Sequence, residues 1–277
     1  MTDRAKRQLR EGSAFAIKLI IGLIFISPLI LGFLFTFQSD EQMMAIPLKV
    51  FTDSPTLENY LSVFQRIPLF TYLKNSFIVC AVSIVGQLII ACLTAYAFAS
   101  FDFPGKQFLF TLILLAMMIP GQVVVITNYV TVQNIGLMDT YVALIATSLV
   151  GGTSIFNMRQ YFLTLPKDFK ESAKLDGCGE MGFLFRVAMP LSIPTLASLA
   201  IYLFINIYNA YFWPLLVTNH EEMRTVQIGI SFLVTGDAIN YGRVLAGAIV
   251  TIIPSVIIYI LGQDYIIKGM TAGGLKG

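Results

Sequence analysis

Six stretches of this chain contain no Asp, Glu, Lys or Arg: Leu19–Ser39, Asn75–Phe101, Gln107–Met138, Thr140–Met158, Val187–Asn219 and Val244–Gln263. The shortest holds 19 residues and the longest 33. A helix of about 20 apolar residues crosses a hydrocarbon core of roughly 30 Å, and two crossings with a turn need about 40 residues. Each window therefore predicts one span, with approximate ends at 16–37, 75–100, 107–127, 140–162, 191–217 and 244–266. Backbone groups in lipid must be paired within the protein, which favours helices. Segments of about ten residues alternating in hydropathy, the mark of a membrane barrel, are absent. The expected fold is an all-α integral membrane protein, a six-transmembrane-helix bundle forming a single domain over residues 1–277.

Arg4, Lys6, Arg7 and Arg10 precede the first window. Its apolar core runs on to Phe37 with no Ala-x-Ala site after it, so the segment reads as an uncleaved signal anchor. With the N-terminus inside and six alternating spans, inner segments hold 12 of the 18 Lys and Arg residues and outer segments hold 5. The positive-inside rule then places both termini in the cytoplasm. The larger outer loops are Asp40–Lys74 and Thr218–Arg243, and the large inner loop is about 163–189.

Charged residues make up 12% of the chain against about 25% in soluble domains, consistent with a protein that lives in a bilayer. A net charge of +2 gives no footprint for nucleic acid. Cys80, Cys92 and Cys178 have no metal-ligand spacing and read as small apolar residues. His220 is the one histidine, so no histidine-based catalytic cluster or metal site is expected. No Gly-x-x-x-x-Gly-Lys-Ser/Thr phosphate loop occurs, so the chain is not expected to hydrolyse ATP.

The inner loop carries its own short helix signal. Thr164 reads as an N-cap with Pro166 in the first turn, Asp168 complements the helix dipole, and Gly177 is placed to end the helix in the left-handed conformation. Phe169, Ala173 and Leu175 offer an apolar side, while Lys167, Lys170 and Lys174 are expected to stay solvated. Two readings fit: a helix that docks in the groove of a soluble partner, or an amphipathic helix resting on headgroups.

Around this loop Pro166, Glu171, Ala173, Asp176, Gly177, Phe185, Pro190, Leu191 and Pro194 are similar to the cytoplasmic loop of permease subunits in ATP-binding-cassette importers. Ser172 stands where that pattern has Ala, and Cys178 where Ala is usual. Further segments carry the likeness: Pro55-Thr56-Leu57-Glu58-Asn59-Tyr60, Asn75-Ser76, Ala95-Tyr96-Ala97-Phe98-Ala99 with Phe103-Pro104-Gly105, Ile135 to Tyr141, and the tail Lys268 to Gly277. The chain most resembles the second permease of the binding-protein-dependent carbohydrate group, of the maltose type. The resemblance implies a pore-forming half of an importer, working by alternating access in the cytoplasmic membrane of a prokaryote. Glu171, Ala173, Asp176, Gly177, Pro190 and Pro194 would then couple it to its ATPase. The implied partners are a second permease, two copies of a cytoplasmic ATPase and an extracytoplasmic solute-binding protein, with a sugar-like substrate. No cofactor is expected on this chain, and ATP and Mg belong to the ATPase. Many members carry Trp-Asn-Asp or Trp-Asn-Glu in the fifth span, where this chain has Tyr208-Asn209-Ala210 and no acid.

A sugar path needs amides, hydroxyls and aromatic faces. Gln122 and Asn128 on the third span and Asn206, Tyr208 and Asn209 on the fifth are the candidates, with Gln87 and Thr94 on one side of the second. The competing reading for each is glue between helices. Pro120-Gly121 and Trp213-Pro214 are expected to break or kink their helices. An ion-coupled secondary carrier is the first alternative, disfavoured because no window holds a carboxylate. A membrane scaffold that tethers a cytoplasmic partner through the loop is the second.

Overall fold

The computed structural model describes residues 3–47, 49–234 and 240–272, with side chains from 11 to 266 within those limits. Every regular element is helical. In chain order these are α1 (Asp3–Phe35), α2 (Asp40–Met43), α3 (Glu58–Arg66), α4 (Leu69–Ser100), α5 (Lys106–Met118), α6 (Gly121–Asn134), α7 (Tyr141–Ala146) and α8 (Gly152–Thr164). There follow α9 (Lys167–Leu175), α10 (Glu180–Phe183), a π-turn at Leu184–Ala188, α11 (Met189–Leu191), α12 (Ile193–Tyr208), α13 (Phe212–Val217), a 3-10 turn at Glu221–Met223, α14 (Val226–Ser231) and α15 (Tyr241–Ala272). Gly273–Gly277, the end of the tail that carries part of the family likeness, lies outside the described residues.

Among the described residues α1, α4 and α15 are each long and apolar enough to cross a membrane alone, and two bent pairs would bring that to five if each pair is one span. The third predicted span is the first such pair: α5 and α6 meet at 97°. Pro120 is the cause. It has no N–H to donate, and it holds Ile119 in extended backbone (φ −81°, ψ 118°). The fourth predicted span is two helices, α7 and α8, parted by extended backbone at Gly151. The fifth divides twice. Glu180–Leu191 meets α12 at 76°, and α12 ends at Tyr208 before α13 begins. Pro190 and Pro194 flank the first break, and Pro214 withholds the N–H that would have bonded the carbonyl of Ala210. The first, second and last helices are longer than the spans expected from their charge-free windows.

Two compact units emerge, residues 1–68 with 230–252 and residues 69–229 with 253–277. In the first, α1 leaves Leu19, Leu23 and Phe25 exposed. Its end is closed by the buried Asn59, whose amide donates to the carbonyls of Thr36 (2.9 Å) and Gln38 (2.8 Å). Gly242 permits this approach, since a Cβ there would lie 2.5 Å from that amide nitrogen.

In the second unit α4 is the central element, packed on α8 and α12. Gln87, predicted beside a solute path, is instead buried glue, donating to Ser154 Oγ at 3.0 Å. A Cβ on Gly151 would come within 1.9 Å of the same amide, so glycine is what lets α4 and α8 meet there. The start of α4 gathers the segments expected outside. Asn75 donates to the carbonyls of Glu222 (2.7 Å) and Arg224 (2.9 Å) and accepts from Tyr141 (2.6 Å), and Ser76 accepts from the Val226 N–H (2.9 Å). The end of α4 gathers the segments expected inside: Tyr96 packs with Phe162, Phe183 and Leu184.

Candidate functional site

The polar loop lies at the C-terminal end of α4. Its helix, α9, begins after Pro166, whose φ of −58° is preset for a helix start. Thr164 is not its cap. That hydroxyl donates back to Tyr161 O at 2.7 Å and finishes α8. The other end is closed as expected: Gly177 has φ +75°, its N–H donates to Lys174 O (3.1 Å), and the Cys178 N–H reaches Ala173 O (2.8 Å). This pair of bonds around a left-handed glycine satisfies carbonyls that the helix end leaves free.

The face assignment from sequence is reversed in part. Phe169 is 46% exposed and Leu175 89%, while Ala173 packs inward against the Tyr96–Phe162–Phe183 cluster. Lys170 is only partly solvated. Its ammonium lies 2.9 Å from Glu180 Oε2 and over the rings of Tyr96 (5.6 Å) and Phe101 (5.4 Å). Tyr96 donates to the same carboxylate oxygen at 2.5 Å. That hydrogen bond is the main reason the Glu180 carboxyl titrates below its ordinary range, with partial burial opposing it and Lys170 helping. Glu171 and Asp176 are exposed, beside the bare Leu175. An apolar side chain held in water next to two carboxylates, on a helix locked at both ends, is a surface suited to a protein partner. Behind α9 a cleft of about 440 Å³ separates it from α4 and α8, lined by Tyr96, Phe162, Leu163, Lys167, Glu180 and Phe183.

Pro190 and Pro194 are not part of this exposed surface. They border the 76° bend into α12, where Ser192 N–H returns to Ala188 O (3.1 Å) and Tyr161 donates to Leu191 O (2.6 Å). The predicted path residues divide. Gln122, Asn206 and Asn209 are exposed and Asn128 is half-buried. Asn206 donates to Tyr202 O (2.7 Å) and Asn209 to Ile205 O (2.8 Å), each within its own helix, and Gln227 donates to Asn209 Oδ1 (3.0 Å). Tyr208 is buried, stacked on Phe204 with centroids 5.1 Å apart. Beside the end of α12, a cavity of about 90 Å³ lined by Ser76, Thr147, Trp213 and Thr225 is far smaller than the roughly 300 Å³ at which ligand pockets begin.

Just before α7, Asp139 adopts φ +58°, which aspartate tolerates better than most residues. Its carboxylate accepts from the N–H groups of Asn219 (2.5 Å) and His220 (2.7 Å) and from the Asn219 amide (3.2 Å). Burial, the largest single influence, raises its titration point. The hydrogen bonds from His220 and Asn219 together outweigh that and leave it lowered. Neither Glu180 nor Asp139 stood out in sequence. A tyrosine at the inner end of a span, which must find a partner for its hydroxyl, was the available signal for Glu180.

Residues 87–271 match the family described as the binding-protein-dependent transport system inner membrane component. The chain is 36% identical over 260 residues to the arabinooligosaccharides transport system permease protein AraQ of Halalkalibacterium halodurans, covering 93% of each. It is 32% identical over 262 residues to the sn-glycerol-3-phosphate transport system permease protein UgpE of Brucella melitensis, covering 91% of this chain and 93% of that relative. Its fold is that of a chain in the crystal structure of a bacterial ABC transporter involved in the import of the acidic polysaccharide alginate, with TM-score 0.83 at 22% identity over 96% of this chain and 99% of that one. A second likeness, with TM-score 0.65 at 17% identity over 94% of each chain, is to the alginate transporter in complex with alginate pentasaccharide-bound periplasmic protein.

Proposed function

Because the chain belongs to the family of inner membrane components of binding-protein-dependent transport systems, we propose that it is one permease of a two-permease importer in the cytoplasmic membrane of a prokaryote, driven through α9 by a separate ATPase. The observation that carries the coupling role is the end of α9. Leu175 is 89% exposed beside Asp176 at a glycine-locked terminus, a display that only a partner would cover. Two ATPase copies bind ATP and Mg, so neither is held by this chain. Closure of that pair pushes α9, and the push tilts groups of helices to open one face of the pore and close the other, a rigid-body switch.

The reading uses six spans with both termini inside. The fourth combines α7 and α8, which are too short to cross singly at about 1.5 Å per residue. Glu171, Ala173, Asp176 and Gly177 form the dock, while Pro190 and Pro194 set the bend that joins it to α12. The solute is a sugar or sugar-like molecule delivered by an extracytoplasmic binding protein. The substrate classes named for the relatives support this, and so do the exposed amides Gln122, Asn206 and Asn209. These lie on a surface that a second permease would complete, so the path runs between two subunits. Tyr208 shapes that surface from behind by supporting α12.

The test is co-expression of the tagged chain with its copermease and ATPase, followed by purification in detergent and reconstitution with the binding protein. Wild type is expected to retain the ATPase, and Asp176→Lys to lose it while eluting as a folded permease. Uptake by proteoliposomes of arabinotriose against sn-glycerol 3-phosphate separates neutral from phosphorylated sugar-like solutes. A wild-type chain that retains no ATPase would sink the assignment.

A further inference from the structure

The nine-residue α9 has capped ends but is joined to α8 and α10 only through short non-helical links at Leu165–Pro166 and Asp176–Gly179. Such a helix, pushed by a partner, would swivel in place rather than move a span. The cleft of about 440 Å³ behind it removes the packing that would otherwise prevent this. Across that cleft stands one polar node joining three elements: Lys170 on α9, Glu180 at the start of α10 and Tyr96 near the inner end of α4. Glu180 Oε2 is shared by both partners, and the Lys170 ammonium also rests over the rings of Tyr96 and Phe101.

We propose that Glu180 is a positioning residue, the strut that fixes α9 to α4 so that movement of the docking helix is delivered to a membrane span. This rests on the reading of α9 as the dock and adds how its motion is transmitted. The Tyr96 leg is the stronger one. A hydroxyl donor to a carboxylate is short and charge-assisted, and it lies beside the buried aromatic cluster. The Lys170 leg is partly exposed and weaker, with 35% and 46% of the two side chains open to solvent. Its part is to orient the carboxylate and to bring α9 onto the ring face. The carboxylate is needed because its negative charge strengthens both bonds at the shared oxygen and pairs with the ammonium; an amide at this position is neutral and brings its own N–H groups toward Lys170.

The experiment places spin labels at Ser172 on α9 and Leu93 on α4 in a background lacking Cys80, Cys92 and Cys178, and measures their separation by pulsed electron resonance in the assembled complex. In wild type the distance is expected to stay narrow and unchanged between the nucleotide-free and vanadate-trapped states. In Tyr96→Phe and Glu180→Gln it is expected to broaden and to shift on trapping, with the double variant no worse than Glu180→Gln alone. Solute moved per ATP should fall roughly three- to tenfold in both, the size expected for a charge-assisted bond discounted for exposure. Both variants remove a hydrogen bond without removing bulk, and size-exclusion profiles of the complex report whether they fold. Variants with wild-type distances in both states would overturn the proposal, as would a wild-type distance that itself changes on trapping. If wild type holds no ATPase, the docking reading fails separately, and the nucleotide-free comparison of wild type with the variants still decides whether the strut exists.

Discussion

Gly177→Ala isolates conformation from contact at the docking helix. Gly177 sits at φ +75°, and a Cβ built there meets nothing within 4 Å, so the substitution adds no clash. Its whole effect is the penalty of a left-handed conformation for a residue with a Cβ, about 1–2 kcal/mol. The loop can avoid that penalty only by giving up the bonds from Gly177 N–H to Lys174 O and from Cys178 N–H to Ala173 O, which releases the helix end that carries Leu175 and Asp176. Either way the docked geometry becomes rarer by the same free energy, and at 1.4 kcal/mol per tenfold the affinity for the ATPase should drop roughly fivefold to thirtyfold. The assay is titration of detergent-purified permease with the ATPase on a biosensor. Gly179→Ala is the control, because Gly179 has φ −73° and also has nothing within 4 Å of a built Cβ. Gly177→Asn should fall between, since asparagine enters the left-handed region more readily than alanine. Thermal stability of the permease should barely change, as only a local segment is affected. Equal affinities for Gly177→Ala and Gly179→Ala would refute the reasoning.

Three further outcomes are expected. Leu175→Asp, at a side chain 89% exposed, should leave the melting temperature of the permease unaltered and weaken ATPase binding about tenfold or more, as a lost central anchor does. Gly151→Ala drives a methyl into the Gln87 amide held by Ser154, so it should destabilise the detergent-solubilised chain by about 1–3 kcal/mol, with partial recovery in the double variant with Gln87→Ala. Asp139 titrates below its ordinary range when folded, so its ionised bonds add stability above the unfolded value near about 3.9 and lose it as pH falls through the lower folded value. Asp139→Asn should therefore lower the melting temperature at pH 7, and the gap to wild type should close on acidification.

The all-helical, apolar character of the chain and the short polar helix α9 were legible because each has a one-dimensional signal: missing charge, and a proline-to-glycine frame around Asp168–Asp176. The breaks at Pro120 and Pro214 were legible for the same reason, since proline acts on its own helix. The division between α7 and α8 was not, because it depends on what approaches Gly151 and Gly152 from elsewhere in the chain: Gln87 of α4 at the first and Met117 of α5 at the second. Lys170 and Thr164 were misread on similar grounds. Composition gives a lysine to water, but here a carboxylate ten residues on and the rings of Tyr96 and Phe101 hold it; a threonine before a proline suits a cap, but the carbonyl of Tyr161 was nearer. Tyr208 as a path residue depended on which way one helix faces, which periodicity in an all-apolar span does not encode.

The hydrogen bonds themselves separate what is held together from what must part. In the second unit, one set of side-chain bonds that cross between elements clasps α4 along its length: Asn75 and Ser76 at its start, Gln87 in its middle, Tyr96 at its end. Each would leave a desolvated polar group if its elements separated, at about 1–3 kcal/mol, so these elements should move as one body. Polar groups on the exposed face are satisfied differently. The Asn206 and Asn157 amides bond Tyr202 O and Thr153 O and the Thr131 hydroxyl bonds Thr127 O, all within one turn of their own helices, while Asn209 bonds Ile205 O in the same way and also accepts from Gln227 on α14. Such a group keeps its bond whether water, a solute hydroxyl or another subunit stands opposite, and its remaining hydrogen or lone pair is free to meet that visitor. A surface that must open to two sides of a membrane in turn can expose polar atoms of this kind with little penalty in either state. Those built across elements would resist the opening.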